Sequence, residues 1–321
     1  YMLNWFCGKE NKIKDLVVLS LFDGMGGGRI ALDKLGITPK KYFASEIKKH
    51  AIKCATTNYP DIIEIGDVTK VKYEDNKLYN DKGEIVYEGH IDLLIGGSPC
   101  QDFSIANLQN KKNDNYVTYG LNGSKSRLFY EYLRLKEEIT PTYFLLENVH
   151  MKQSSESQLN YYLGVKGIHI NSNLVSYQDR KRIYWTNIPN VTVPTDRGID
   201  FQDYIDTDVS RLEEAKVNPT PCRIRMWNDG KGKQGGLIHC DNITNKHKIH
   251  TLTRKQDRSP NSGLIAYKDF CRYLTRRELE GAQTVPYGYT DCVSYLQAQD
   301  LLGDGWTIDV IAHILQNIKD E

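Results

Sequence analysis

The chain has no run approaching the roughly 18 consecutive apolar residues of a membrane-spanning helix. Nor does it open with the basic, apolar, small-residue order of a signal peptide, so it is expected in the cytosol or wherever its substrate is held. Charge of one sign is also missing. Lys and Arg number 42 against 41 Asp and Glu, a net charge of +1, so any basic footprint for an anionic partner must be local. No CxxC pair occurs. The seven cysteines (Cys7, Cys54, Cys100, Cys222, Cys240, Cys271 and Cys292) are odd in number, scattered, and without a Cys/His spacing suited to zinc. Reduced thiols and no metal are expected. Internal repeats and low-complexity tracts are absent as well. What remains, 40% hydrophobic and 26% charged residues over 321 positions, fits a globular chain with one large domain and a smaller partner.

The first half alternates short apolar runs with amphipathic stretches, the pattern of βαβ units and a largely parallel sheet. Strands are expected at 16–21, 41–45, 62–65, 91–95 and 143–146, each stopping at a charged, polar or glycine residue. Open α/β sheets bind ligands at the carboxyl ends of their strands, so those polar residues should converge. A hairpin over 77–87, turning at Asn80 to Gly83, reads as a decorative insertion, and 101–126 as a long functional loop. Beyond about Pro189 prolines punctuate the chain and a smaller domain begins. Its first part, 196–214, is acidic, whereas 219–260 holds nine Lys/Arg against three Asp, an excess of six positive charges suited to phosphates. Helical pattern returns at 275–282 and 306–318.

Chemistry concentrates at the strand ends. The turn Phe22-Asp23-Gly24-Met25-Gly26-Gly27-Gly28 follows a strand and opens a helix, which suits a nucleotide-type cofactor with an anionic group. Glu46 follows Gly24 by 22 residues, near the offset at which a carboxylate takes ribose hydroxyls. The glycine spacing departs from G-x-G-x-x-G and so favours methyl transfer over a dinucleotide site. Gly96-Gly97-Ser98-Pro99-Cys100-Gln101 puts a thiol at the mouth of the sheet, where it can attack a bound substrate. Glu147-Asn148-Val149 brings a candidate acid to the same edge. Gln178, Arg180 and Arg182 alternate, so on one strand they would share a face toward an anionic or carbonyl-bearing substrate. Taken singly, each is commoner as a buried thiol, a cap or a solvated edge.

Taken together, the order F-x-G-x-G, an acidic residue ending the second strand, GDV, SPCQ, ENV, Q-x-R-x-R, a variable basic region and a terminal glycine segment resembles the cytosine-5 DNA methyltransferases, from about Val17 to Leu315. Ser98, the stretch 120–129 and Leu301 to Trp306 resemble the de novo branch, as a stand-alone catalytic domain. The resemblance implies an α/β fold: a Rossmann-like S-adenosylmethionine-dependent methyltransferase sheet with helices on both faces, plus a smaller irregular target-recognition domain. The catalytic domain would cover 1–188 and 265–321, the recognition domain 189–264. Cys100, Glu147, Arg180 and Arg182 would be catalytic. Phe22, Asp23, Gly24, Met25, Gly26, Glu46, Ile47, Asp67, Val68, Pro99, Leu128, Asp304, Gly305 and Trp306 would bind S-adenosylmethionine, Asp67 through the adenine amino group. Asp304 stands where other branches have Asn, which leaves its backbone as the expected contact. Ser98, Asn148, Gln178, Arg254 and Lys255 would meet double-stranded DNA around a target cytosine, with 247–255 as a recognition loop. Arg272, Leu274, Thr275 and Glu278 would support the recognition domain. A tRNA-directed branch of this fold carries PPC and a Cys-Phe-Thr segment, neither of which is present.

Overall fold

A computed structural model describes residues 15–98, 127–229, 240–257 and 262–318. Pro99, Cys100 and the 101–126 loop lie outside the described residues. Backbone packing divides the chain into two compact units. The first takes 1–170, 181–193 and 311–321, and the second takes 171–180 and 194–310.

In the first unit the apolar runs form strands β1 (Val17–Leu21), β2 (Lys41–Ser45) and β3 (Ile62–Glu64), joined by helices α1 (Gly27–Lys34) and α2 (Lys49–Asn58). Three short strands follow, β4 (Lys72–Glu74), β5 (Lys77–Tyr79) and β6 (Ile85–Glu88), and then β7 (Leu93–Gly97), helix α3 (Arg127–Ile139), β8 (Tyr143–Val149), helix α4 (Gln153–Leu163) and β9 (Ile168–Asn171). With β10 (Gln178–Asp179) and β11 (Lys181–Thr186) the chain completes a seven-stranded sheet in the order β3-β2-β1-β7-β8-β11-β9, to which β10 does not belong. From β3 through β8 neighbours are parallel, and β11 returns antiparallel to β8.

Helices cover both faces of this sheet. Successive strand residues point to opposite faces. Leu94 packs in one core cluster with Phe129, Tyr132 and Leu135 of α3 and Leu159 of α4. Ile95, the next residue, meets α1 from the other side, where a Cβ at Gly28 would fall 2.1 Å from its Cδ1. The five expected strands are all present, within two residues of their expected starts. One difference matters: β8 continues through Glu147 and Asn148 to Val149, because β11 supplies an antiparallel partner to that end, with Tyr184 opposite Glu147.

The expected hairpin at 77–87 is β5 and β6, but it is more than decoration. The Asp81 carboxylate in its turn accepts the backbone N–H of Asp67 at 3.2 Å, and the Asp81 N–H donates to the Ile65 carbonyl at 2.9 Å. Gly66 sits at φ +83°, and a Cβ there would lie 2.0 Å from the Asp81 carboxylate. The insertion therefore fixes the turn that carries Asp67.

The second unit contains β10, helices α5 (Val209–Glu214) and α6 (Pro221–Asp229), β12 (Ile249–His250), β13 (Ile265–Tyr267), β14 (Phe270–Arg272) and helices α7 (Arg276–Ala282) and α8 (Tyr295–Asp304). Helix α9 (Ile308–Leu315) runs across the boundary between the units at Val310. β10 pairs in parallel with β12, and β13 with β14 antiparallel. Val217, Met226, Cys240, Leu264 and Cys271 form its small apolar core.

Arg272 and Glu278, 2% and 0% exposed in their side chains, form a buried ion pair at 2.7 Å, while Glu278 and Thr275 close a capping box at the start of α7. These contacts hold β14 to the start of α7. This packing groups 265–310 with 194–264, whereas the motif reading joins them to the catalytic sequence. Bonds from Asp206 to Glu278 and Thr275, and from Gln178 to Ala282, are what draw them together.

Candidate cofactor and base-binding site

Along the carboxyl edge of the first unit's sheet, β1 is followed by Phe22, which lies at φ +57°, a backbone region that bulky side chains avoid. Gly24 and Gly26 follow at φ +63° and +83°, and Gly26 caps α1. The Glu46 carboxylate at the end of β2 accepts the N–H groups of Gly24 (2.9 Å), Ile47 (2.7 Å) and Lys48 (2.9 Å). Its oxygens are thereby fixed in direction: Oε1 accepts two of the three N–H groups, and Oε2, which accepts one, keeps lone-pair capacity for a ribose hydroxyl. Ile47 beside it is 71% exposed, an apolar face next to a carboxylate. At the end of β3, Asp67 half-buries its carboxylate and accepts the N–H and hydroxyl of Thr69, with Val68 buried behind it. Arg134 of α3 braces this turn by donating to the carbonyls of Val68 and Val71.

Electrostatically this edge is acidic. Asp23, buried and accepting from Tyr42 Oη at 2.7 Å, is pushed up to about 6 by burial. Glu64 on β3 is pushed up to about 8, first by burial and then by the charges of Asp23 and Glu46. Neither Glu64 oxygen has a hydrogen-bond partner among the described residues. Met25 is buried in the turn, and Leu128 is half-buried at the start of α3.

The next two strands carry the acid. Gly97 at the end of β7 is in register with Glu147 on β8. Glu147 is 8% exposed, and its Oε1 lies 3.0 Å from Arg182 Nε on β11. Asn148, 1% exposed, donates from Nδ2 to Ser98 Oγ at 3.0 Å and accepts the Val149 N–H at 2.8 Å. Both ends of that amide are engaged, so Asn148 and Ser98 hold each other just past the end of β7.

The shared strand face expected for Gln178, Arg180 and Arg182 does not form. The strand breaks at Arg180, whose N–H donates to Asn171 Oδ1 (3.0 Å) and whose carbonyl accepts the Ser172 N–H (3.0 Å), so β10 and β11 enter different sheets. Gln178 is fully buried, donating to the Ala282 carbonyl and Gln283 and accepting the Leu252 N–H. Arg180, 3% exposed, donates to the carbonyls of Leu252, Gly303 and Gly305. These residues brace the second unit, where Gly305 and Trp306 are half-buried and Asp304 and Lys255 exposed. Of the basic residues, Arg223 faces Asp257, Lys248 donates to the carbonyls of Asn173 and Ser176, and Arg254 pairs with Asp300 and Asp304. Sequence reasoning missed all three pairings, since each joins residues at least 34 positions apart.

A glycine turn, an oriented carboxylate and an acid–guanidinium pair along the ends of a parallel sheet define a Rossmann-like methyltransferase fold. Solved structures agree: Dnmt2 methyltransferase of S. pombe superposes with a TM-score of 0.66 at 16% identity, covering 94% of this chain and 97% of that one. A Spodoptera frugiperda DNMT2 mutant gives 0.62 at 18% identity, with 94% and 99% covered. The model of the C-5 cytosine-specific DNA methylase family matches residues 16–320, and the chain belongs to that family. It is similar to the orphan methyltransferase M.Rho11sI of Bacillus phage rho11s, 29% identical over 220 residues, which are 63% of this chain and 39% of that relative. Type II methyltransferase M.SsoII of Shigella sonnei is 26% identical over 327 residues, 94% of this chain and 79% of the relative. DNA (cytosine-5)-methyltransferase DRM2 of Oryza sativa subsp. japonica is 35% identical over 130 residues, 39% and 20%. The match thus spans less than half the length of several curated relatives.

Proposed function

We propose that this chain transfers a methyl group from S-adenosylmethionine to carbon 5 of cytosine in double-stranded DNA, with Cys100 as nucleophile. The observation that carries the reading is the Glu147–Arg182 pair, 3.0 Å apart and in register with the end of β7, the strand that runs into Ser98-Pro99-Cys100. Family membership supplies the substrate class. Residues 189–264 would recognise the target and the rest would carry the chemistry.

The residues present fit the cofactor. Glu46 would take its ribose hydroxyls, Ile47 one face of its purine, Asp67 the adenine amino group, and the N-terminal end of α1 its carboxylate. When bound, the cofactor supplies an electrophilic methyl group on a sulfonium. Phe22, Asp23, Gly24, Met25, Gly26, Val68, Pro99, Leu128, Asp304, Gly305 and Trp306 would complete its surroundings, Asp23 adding negative potential above about pH 6.

A cytosine stacked in a duplex offers no access to carbon 6, so the base is flipped out, at a cost of a few kcal/mol. The Cys100 thiolate adds to carbon 6 while Glu147 gives a proton to ring N3, which prevents charge from building on the ring. Arg182 fixes the Glu147 carboxyl and faces the base carbonyl. Carbon 5 would then take the methyl group, the donor leaving as a neutral thioether; the C5 proton is lost to a base, the N3 proton returns to Glu147, and elimination restores Cys100. Arg180, Gln178, Ser98 and Asn148 act here as positioning residues.

Two measurements test this. A duplex with 5-fluorocytosine at the target should trap a covalent protein–DNA complex in the presence of S-adenosylmethionine, and Cys100→Ser should lose both the complex and methyl transfer while still binding the cofactor. Methylation by Cys100→Ser would overturn the nucleophile. Methyl incorporation into tRNA but not duplex DNA would overturn the substrate.

A further inference from the structure

Helix α8 ends with Asp300 and Asp304 one turn apart on the same face. Like charges at i and i+4 destabilise a helix, and negative charge is least welcome at its C-terminal end, where the unpaired carbonyls already point. The second unit offsets both costs with one side chain. Arg254 places Nε 2.7 Å from Asp300 Oδ1 and 3.3 Å from Asp304 Oδ1, and its terminal nitrogen donates to the other Asp304 oxygen. Gly303, between the two acids, makes the approach possible: a Cβ there would fall 2.8 Å from the Thr253 carbonyl carbon and 3.0 Å from the Arg254 nitrogen. Arg180 ties the same two segments from the buried side, through the carbonyls of Leu252, Gly303 and Gly305. The 252–254 loop is thus seated on the end of α8.

We propose that Asp300 and Asp304 are an internal carboxylate cradle that competes with DNA for Arg254, which makes Asp304 a positioning residue linking the recognition loop to the 303–306 segment. The inference rests on the DNA-methyltransferase reading. A DNA phosphate offers a guanidinium two oxygens, and a guanine edge its O6 and N7, so either presents the two-acceptor geometry that the cradle also supplies. Arg254 is 49% exposed and Asp304 47%, so the exchange needs no buried group to open. For pairs this exposed the expected coupling is at most about 1 kcal/mol, about a fivefold change in affinity.

The experiment is a double-mutant cycle read by anisotropy of a labelled duplex, at low and at physiological salt. Asp304→Asn should tighten duplex binding about fivefold in the wild-type background and leave it within about twofold when Arg254 is already Gln. Asp269→Asn, which neutralises an exposed acid of the same unit, should also change it less than twofold. An equal gain in both backgrounds would mean that only bulk charge matters and would overturn the cradle. So would no gain in either, with the wild-type protein still binding. A wild-type protein that binds no duplex would instead overturn the proposed function and this inference with it.

Discussion

Arg182 and Arg180 stand two positions apart, yet they belong to different units and meet opposite fates. Arg182, in the first unit, faces a carboxylate on the next strand, 13% exposed and at the edge where β7 and β8 end. Arg180, in the second, gives its guanidinium to three backbone carbonyls and is closed off from solvent. The contrast extends to the surroundings. At the strand ends of the first unit, acids remain with raised proton affinity and unmet oxygens, as at Glu64 and Asp23. In the second unit several acids meet cations, Glu278 with Arg272, Asp206 with Arg211, Asp300 and Asp304 with Arg254, and the buried Glu280 is instead satisfied by Thr290 and the Gly288 N–H. A unit that completes its own charges is suited to hold a shape, and one that leaves them incomplete is suited to take a ligand.

The largest effect should come from breaking the first unit's pair. Glu147→Gln keeps the side chain's size but gives up the transferable proton, and a positioned general acid is worth roughly 10²–10⁴ in rate. Methyl transfer should fall by that factor with folding and cofactor affinity intact. A loss below about tenfold, measured under single turnover, would remove Glu147 from the chemistry.

The second unit should answer in stability instead. Arg272→Met leaves Glu278 buried and uncompensated, which costs about 3–5 kcal/mol in urea unfolding, whereas Arg272→Met with Glu278→Leu should recover most of it. If the single and double variants unfold alike, the pair is not what holds α7 to β14.

How far these roles are legible in sequence follows the same division. Strand ends are local: an apolar run stopped by Glu46, Asp67 or Gly96-Gly97 shows both the strand and its polar terminus, so the sheet and most of its edge could be read. The break at Arg180 could not, because it depends on Asn171 and Ser172 capturing that residue's backbone. Alternation alone predicts one continuous strand. Nor could the role of the 77–87 hairpin, which depends on Asp81 reaching the Asp67 N–H from 14 positions away. Arg254 illustrates the limit best. Its basic neighbourhood suggests phosphate, and only the docking of its loop on α8, 50 positions distant, reveals that acids occupy it first.

The smallest effect sharpens the comparison most. Glu64 is an acid whose folded-state proton affinity is raised, to about 8 from 4.5. The folded protein therefore binds more protons than the unfolded chain between those values. Stability should fall as pH rises through that window and level off above it. Glu64 as a residue is only half-buried although its two oxygens are covered, and nearby solvent reduces the cost to roughly 1–2 kcal/mol, or a few degrees in melting temperature. Glu64→Gln should raise the melting temperature near pH 8.5 and leave it nearly unchanged near pH 4.5. An equal change at both pH values would reduce the effect to packing. S-adenosylmethionine should stabilise the wild-type protein more than the variant at the higher pH, because the cation it brings is what the uncompensated acids of the first unit lack.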